Sequence, residues 1–445
     1  MTRTHGLGPT GFLRRPLDSA DPRHVYNRNT TDIRRSRIAG ISSAAGSTAR
    51  DAAADEAVQK RRLRRLQEEL DDEQVPLIVE GPARDHLLAE LAYARRPQHH
   101  ENHIPGYGAL IFAGVPDWDA CPQTPLLVPG ADVPAPVLRR YADGRSSFMV
   151  VTPDGIGGLA TFEHSVEDEG AAVRLQRSGA VVVQRTRRGT VRICAGSGVV
   201  VWNGSRWLFK RRAEDYVSVL RCLAPHADGA VLTGLLELAV HSLASARVGA
   251  TFVWNLDGRS PDDLRNGLVE LGRAIRGPAL SVARRGHFPA LLSVESQVDL
   301  ATVVAVDGSV GPIGVRLNHS PRAAAVVPPT GGARHTSARR FTFDVPEVLV
   351  VVVSESGRVT VFTGGAIGAE ISADQRERPA SGGRVELSPT DARMVTCSGC
   401  GKQLLTAPAT VADPANLPSS VCPVCGAAIV LEKNSVILGV PVPPG

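Results

Sequence analysis

The sequence predicts an α/β domain, a mixed sheet flanked by helices, with an N-terminal α+β domain before it and a C-terminal zinc ribbon after it. Three observations carry this. Residues 214–368 alternate helical and extended patterns and include the unbroken aliphatic run Val348–Val353, which suits a strand covered on both faces. Residues 76–213 hold one helical pattern followed by a series of short β-type runs. Cys397-x-x-Cys400 and Cys422-x-x-Cys425 are separated by 21 residues, a spacing suited to a closed four-thiolate Zn²⁺ site.

The elements follow in order. Residues 1–50 lack a sustained period and read as a disordered basic tail. Residues 51–75 read as a helix with Leu63, Leu66 and Leu70 on one face. Its basic block precedes its acidic block, against the macrodipole, so it needs a partner surface. In 76–213 a helix over 82–95 leads to strands over 108–113, 147–152, 180–185, 190–194 and 199–202. Asn203-Gly204 then predicts a tight hairpin to 207–210, because both residues tolerate positive φ. In 214–368, residues 230–246 carry Leu232, Leu235, Leu236, Val240 and Leu243 on one helical face. A buried strand follows over 248–254, and Ser260-Pro261 opens a helix to about 275. Strands are expected over 302–306, 313–317, 323–327, 347–354 and 358–362, with a short helix over 333–343 between the third and fourth. Residues 369–392 read as a linker and 393–445 as the zinc ribbon.

Composition narrows the function. The 445 residues are 43% hydrophobic and 21% charged, as in a globular protein with real cores. The formal charge is +5, but residues 1–50 carry nine Arg against three Asp, a net of +6, so the rest carries 5 − 6 = −1. The basicity belongs to the tail, which weakens a nucleic-acid role for the folded body. No aliphatic run approaches the ~20 residues of a membrane span, and no apolar segment follows the N-terminal arginines. Paired CxxC motifs favour metal in a reducing compartment over disulfides, so the expectation is a soluble cytoplasmic protein with no membrane partner. His99, His100, Glu101 and His103 read as a polar loop before a strand, since no i, i+4 ligand pair is present.

The chemistry-bearing stretch runs from Asp299 to Gly365. It contains Val306-Asp307-Gly308-Ser309, then Gly332-Ala333-Arg334-His335-Thr336-Ser337-Ala338, then Val352-Val353-Ser354-Glu355-Ser356-Gly357. Each lies where a predicted strand ends or a helix begins, the place where α/β sheets hold ligands. Arg334 and His335 in a first helical turn suit a polyphosphate. Asp307 could hold a divalent metal or activate a hydroxyl, and Ser354-Glu355 offers a second hydroxyl and carboxylate. The residues alone point to a nucleotide–metal site.

This motif order resembles the catalytic domain of diadenylate cyclases, shared with the DNA-integrity-scanning protein. Arg247-Val248-Gly249-Ala250 is similar to that family's Arg-Ile-Gly-Ala strand. The resemblance covers roughly 215–365. It implies that two face-to-face domains condense two ATP into cyclic di-AMP and release two pyrophosphates, so self-association is needed for catalysis. It implies that Asp307 assists the 3′-hydroxyl and that Gly308 and Ser309 line the ribose. Arg334, His335 and Thr336 would lie along the phosphates, and Ser354 would bind phosphate. Asp307, His335 and Glu355 would hold Mg²⁺ or Mn²⁺. It implies that 76–213 is a sensor-like domain, whose ligand the sequence leaves unknown.

The sequence departs from the family pattern at several places. Ser309 stands for Ala in Asp-Gly-Ala, and Val306 stands where several members have His. Thr336 stands for the second Arg of Arg-His-Arg, Ala333 for a frequent Thr, and Ser356 for a second Glu. Arg339 or Arg340, one turn on, could replace the missing cation. Two alternatives follow: a nucleotide-sensing module without turnover, and a zinc-ribbon nucleic-acid-binding protein using the basic tail.

Overall fold

In the computed structural model, the described residues are 44–73, 75, 79–96, 101, 103–130, 132–257, 269–270, 277–372, 386–387, 393–410, 421–429, 431 and 435–441. Of the tail expected over 1–50, residues 1–43 lie outside them, as do His99 and His100, whereas residues 44–50 are helical and start the expected helix seven residues early.

The N-terminal domain begins with α1 (Ala44–Asp72) and α2 (Pro82–Ala94). Next come β1 (Tyr107–Phe112), β2 (Leu126–Pro129), α3 (Ala135–Tyr141), β3 (Ser147–Thr152), β4 (Gly155–Thr161) and α4 (Glu169–Leu175). A meander closes it: β5 (Ala180–Arg185), β6 (Val191–Ala195), β7 (Gly198–Trp202) and β8 (Trp207–Lys210). These strands form one eight-stranded sheet in the order β2-β4-β3-β1-β5-β6-β7-β8, with only β1 and β3 parallel. The expected hairpin is present, but its corner is Gly204-Ser205: the Asn203 N–H donates to Arg206 O (3.3 Å), and of the expected pair only Gly204 has positive φ, 100°. The expected partner surface for α1 is present. Leu66 and Leu70 are buried in one core with Leu87 and Leu91, and Glu69 accepts from the Trp207 indole (2.8 Å) and from Arg95 (2.9 Å).

The central domain starts at α5 (Glu214–Leu223). Then α6 (Gly229–Glu237), a π-helical stretch (Leu238–Leu243) and α7 (Ala244–Ala246) run on as one helix. Asp228 caps it by accepting from the Ala230 and Val231 N–H groups. By length and composition this helix could cross a membrane, but 72% of it is buried in the protein. It is followed by β9 (Ala250–Asn255), β10 (Val269–Glu270), α8 (Phe288–Glu295), β11 (Ala301–Val304), β12 (Val310–Leu317), α9 (Pro321–Val326), α10 (Ala333–Asp344), β13 (Val348–Val353), β14 (Val359–Thr363) and β15 (Ala366–Ile371). The sheet order is β10-β12-β11-β9-β13-β14-β15, with β11 parallel to β9 and β13 antiparallel to it. Alternation on β13 serves two cores. Leu349, Val351 and Val353 pack with Leu232, Leu235 and Leu243, while Val348, Val350 and Val352 pack with Ala338 and Phe341 of α10.

Three expectations change here. Residues 323–327 are not a strand: Ser320 caps α9 by accepting from the Ala323 N–H, with Pro321 in the first turn. Within the expected helix 260–275, Val269–Glu270 pairs with Leu317 and Arg316 as a strand, and the rest lies outside the described residues. The expected linker begins inside β15, whose Ala369 and Ile371 are buried.

The C-terminal module has β16 (Glu386–Leu387), β17 (Arg393–Thr396), β18 (Gln403–Thr410) and β19 (Ser435–Gly439), with β18 at the centre of its sheet. It docks on the back of α10. Arg339 donates to Gly365 O (2.9 Å) and to Pro423 O (2.7 Å), and Lys402 donates to Phe343 O (2.7 Å).

Candidate functional site

Register decides what can meet. Because β9 and β11 are parallel and β13 is antiparallel to both, the start of β11 and the end of β13 share one sheet end. The end of β11 lies at the other. Arg334, in the first turn of α10, reaches the first of these ends. Its Nη2 donates to Asp299 Oδ1 (2.6 Å), and its Nη1 lies 3.8 Å from Glu355 Oε1. Arg247, Gly249 and Glu295 join them around a cleft of about 250 Å³. A second cleft of about 480 Å³ shares Arg334 and Asp299 as its wall. A Cβ at Gly249 would lie 2.1 Å from Arg334 Nη1, so a larger residue there would displace the guanidinium from its place in the cleft.

Asp307, Gly308 and Ser309 are elsewhere. They form the β11–β12 turn, closed by Ala305 N–H to Ser309 O and Gly308 N–H to Ala305 O. Asp299 and Asp307 flank the four residues of β11, about 13 Å of strand. Asp307 accepts from the Ser309 N–H (2.8 Å) and hydroxyl (2.9 Å), and these bonds hold its carboxyl below the usual range. That is the chemistry of a turn aspartate. Within one chain, the structure therefore does not bring Asp307 to Arg334.

The other expected residues divide. His335 is buried behind Arg334, edge-on to Phe362 with ring centroids 6.0 Å apart, and does not line the cleft. Burial, with Arg358 and Arg334 nearby, lowers its pKa and favours the neutral ring. Thr336 spends its hydroxyl on Thr330, donating to the carbonyl (3.0 Å) and accepting from the N–H (3.2 Å). Ser354 opens the β13–β14 turn, where its N–H donates to Arg358 O (2.8 Å). Arg339 is committed to the C-terminal module, and Arg340 donates to Val327 O and Ala324 O. Neither takes the place of the missing cation.

Two cleft residues escaped the sequence analysis. Asp299 opens Asp299-Leu300-Ala301, an Asp-x-Ala triplet, and Leu300 has φ of 79°, a glycine-type conformation, while remaining exposed. Glu295 is buried at the C-terminus of α8. Its Oε1 accepts from the Thr302 hydroxyl (2.6 Å). Burial pushes its carboxyl up to about 7, with Thr302 and Arg334 offsetting part of the effect.

Two family models match separate parts of the chain. Residues 237–367 match the model of "DisA bacterial checkpoint controller nucleotide-binding". The central domain is a diadenylate-cyclase-family domain. Residues 64–210 match "Probable sensor domain DACNK", so a sensor domain precedes the cyclase-family domain. Two solved structures are similar to part of the chain. One is a hypothetical membrane spanning protein from Bacillus cereus, at 19% identity over 36% of this chain and 88% of that one, with a TM-score of 0.24. The other is a double cysteine mutant of DacA from Staphylococcus aureus, at 17% identity over 35% of this chain and 85% of that one, with a TM-score of 0.21. No curated protein matches the chain.

At the C-terminus, the ligand atoms of Cys397, Cys400, Cys422 and Cys425 all lie within 4.8 Å of one another. The Cys397–Cys425 and Cys400–Cys422 Sγ separations are both 3.7 Å. Four thiolates about 2.3 Å from a tetrahedral ion would stand about 3.8 Å apart, so the cluster fits a metal ion such as zinc.

Proposed function

We propose that the chain is a diadenylate cyclase. It joins two ATP into cyclic di-AMP between two copies of the cyclase-family domain. The observation that carries this is the convergence of Arg334, Asp299, Glu355 and Arg247 on one cleft inside the matched domain. In each half-reaction a 3′-hydroxyl oxygen forms a bond to the α-phosphorus of the other ATP. The bond from that phosphorus to the bridging oxygen breaks, and pyrophosphate leaves.

Arg334 and Arg247 hold phosphate charge, and the ammonium-free, planar donors of Arg suit paired phosphate oxygens. Asp299 takes the part expected of Asp307 and receives the hydroxyl proton. Asp299 and Glu355 are hard oxygen donors that face the same guanidinium, which fits Mg²⁺ or Mn²⁺ held by two carboxylates and by phosphates. When bound, such an ion would neutralise triphosphate charge. His335 lies outside the cleft lining, with its ring edge-on to Phe362, and is given no metal here. The C-terminal cysteines hold zinc as a closed structural site that braces α10.

Purified protein with ATP and Mn²⁺ should yield cyclic di-AMP by chromatography, and Arg334→Ala should lower the rate at least about a hundredfold. A second reading, nucleotide sensing without turnover, is favoured by the left-handed Leu300 and by the Asp299 carboxylate engaged on Arg334. ATP binding by calorimetry without product would select it. Neither binding nor product would overturn both.

A further inference from the structure

The sensor domain meets the cyclase-family domain along the π-helical stretch. Lys210, at the end of β8, donates to Val240 O (2.9 Å) and pairs with Glu169. His241 Nδ1 lies 2.9 Å from Glu169 Oε1, and the Ala213 N–H donates to His241 Nε2 (3.2 Å). Beside this seam is a cleft of about 670 Å³, bordered by the β5–β6 hairpin on one side and by residues 244–247 and Ser356-Gly357 on the other.

Its polar groups are not all satisfied. Arg192 is 9% exposed, and its buried Nη1 has no hydrogen-bond partner. The buried hydroxyl of Thr186 has none either. Both residues line the cleft, with Arg188 and Arg247. The acids that border it are already engaged. Glu169 is bound by Lys210 and His241, and the Arg192 charge helps hold it ionised without a hydrogen bond to Nη1. Asp168 caps α4 by accepting from the Ala171 N–H (3.1 Å) and also accepts from the Ser242 hydroxyl (3.3 Å). Glu167 faces Arg145 at 3.7 Å. A buried guanidinium donor left without an acceptor is costly, and an anionic ligand would supply the acceptor. Val201, Leu208 and Leu292 give the same cleft an apolar wall for the body of a larger molecule.

We propose that this cleft is the sensor's effector site, and that it binds a small metabolite through an oxyanion, phosphate or carboxylate, held by Arg192, Arg188 and the Thr186 hydroxyl. Arg247 is shared by this cleft and the nucleotide cleft, and it sits in a left-handed conformation (φ 58°) between the helix and β9. An occupant would therefore touch a residue of the nucleotide wall. The inference deepens the sensor assignment and does not depend on turnover, because its test reads binding alone.

The experiment is calorimetric titration of the full chain with inorganic phosphate and, separately, with malonate. Whichever anion gives saturable one-site binding identifies the head group. Arg192→Gln should weaken it about tenfold, the loss of one charged hydrogen bond. Thr186→Val, a milder change should the first variant fail to fold, should weaken it about threefold. The proposal is overturned if neither anion binds the folded chain, or if Arg334→Ala removes binding that Arg192→Gln and Thr186→Val retain, which would put the anion in the nucleotide cleft.

Discussion

Glu169 and Glu295 are both 3% exposed, yet their surroundings push them in opposite directions. At the sensor–cyclase seam, burial alone would raise the Glu169 pKa, but Lys210 and His241 outweigh it and hold the carboxyl at about 2. In the cleft beside Arg334, Glu295 has the Thr302 hydroxyl and the Arg334 charge nearby, yet burial wins, at about 7. A buried charge given its partners acts as a fastener. One left underpaired beside a cleft retains its proton.

The largest expected effect breaks the fastener. Lys210→Met strands the Glu169 charge and should cost about 3–5 kcal/mol in urea unfolding. In the wild type, the Glu169 contribution, about 3 kcal/mol, is present above the ordinary carboxyl value of 4.5 and is lost as pH falls toward 2. The opposite sign is expected at Glu295. There the folded state holds a proton that the unfolded chain has released, so stability falls as pH rises from 4.5 through about 7. Glu295→Gln should remove that slope and gain up to about 3 kcal/mol at pH 8, with little change near pH 4. Leu300→Gly should gain about 1 kcal/mol by relieving the left-handed backbone, against the entropy of an added glycine. The smallest effect is at Asp299, whose side chain is 85% exposed. Asp299→Asn should shift stability by less than about 1 kcal/mol, so any change in turnover it causes is chemical.

Much of the fold was readable because burial writes a period into the chain. Val348–Val353 and the leucines of 230–246 announced a covered strand and a core helix, and Asn203-Gly204 announced its hairpin. The run 323–327 misled because a short apolar stretch fits a buried strand and a helix equally, and the Ser320 cap with Pro321 decided it. The site misled for a subtler reason. Asp307-Gly308 has the residues of the family motif, but here they serve the conformational needs of a hairpin turn, with Gly308 at φ 82°. Asp299-Leu300-Ala301 has the position, but its glycine-type backbone is hidden under a leucine that no sequence pattern marks. Only strand register separates the two, by placing one aspartate at each end of β11.

The central claim is that the acting aspartate is Asp299. Cyclic di-AMP formation from ATP and Mn²⁺ should be compared between Asp299→Asn and Asp307→Asn in otherwise identical full-length protein. The account predicts a loss of at least about a hundredfold for Asp299→Asn and no more than about threefold for Asp307→Asn. Full activity in Asp299→Asn with loss in Asp307→Asn would contradict it.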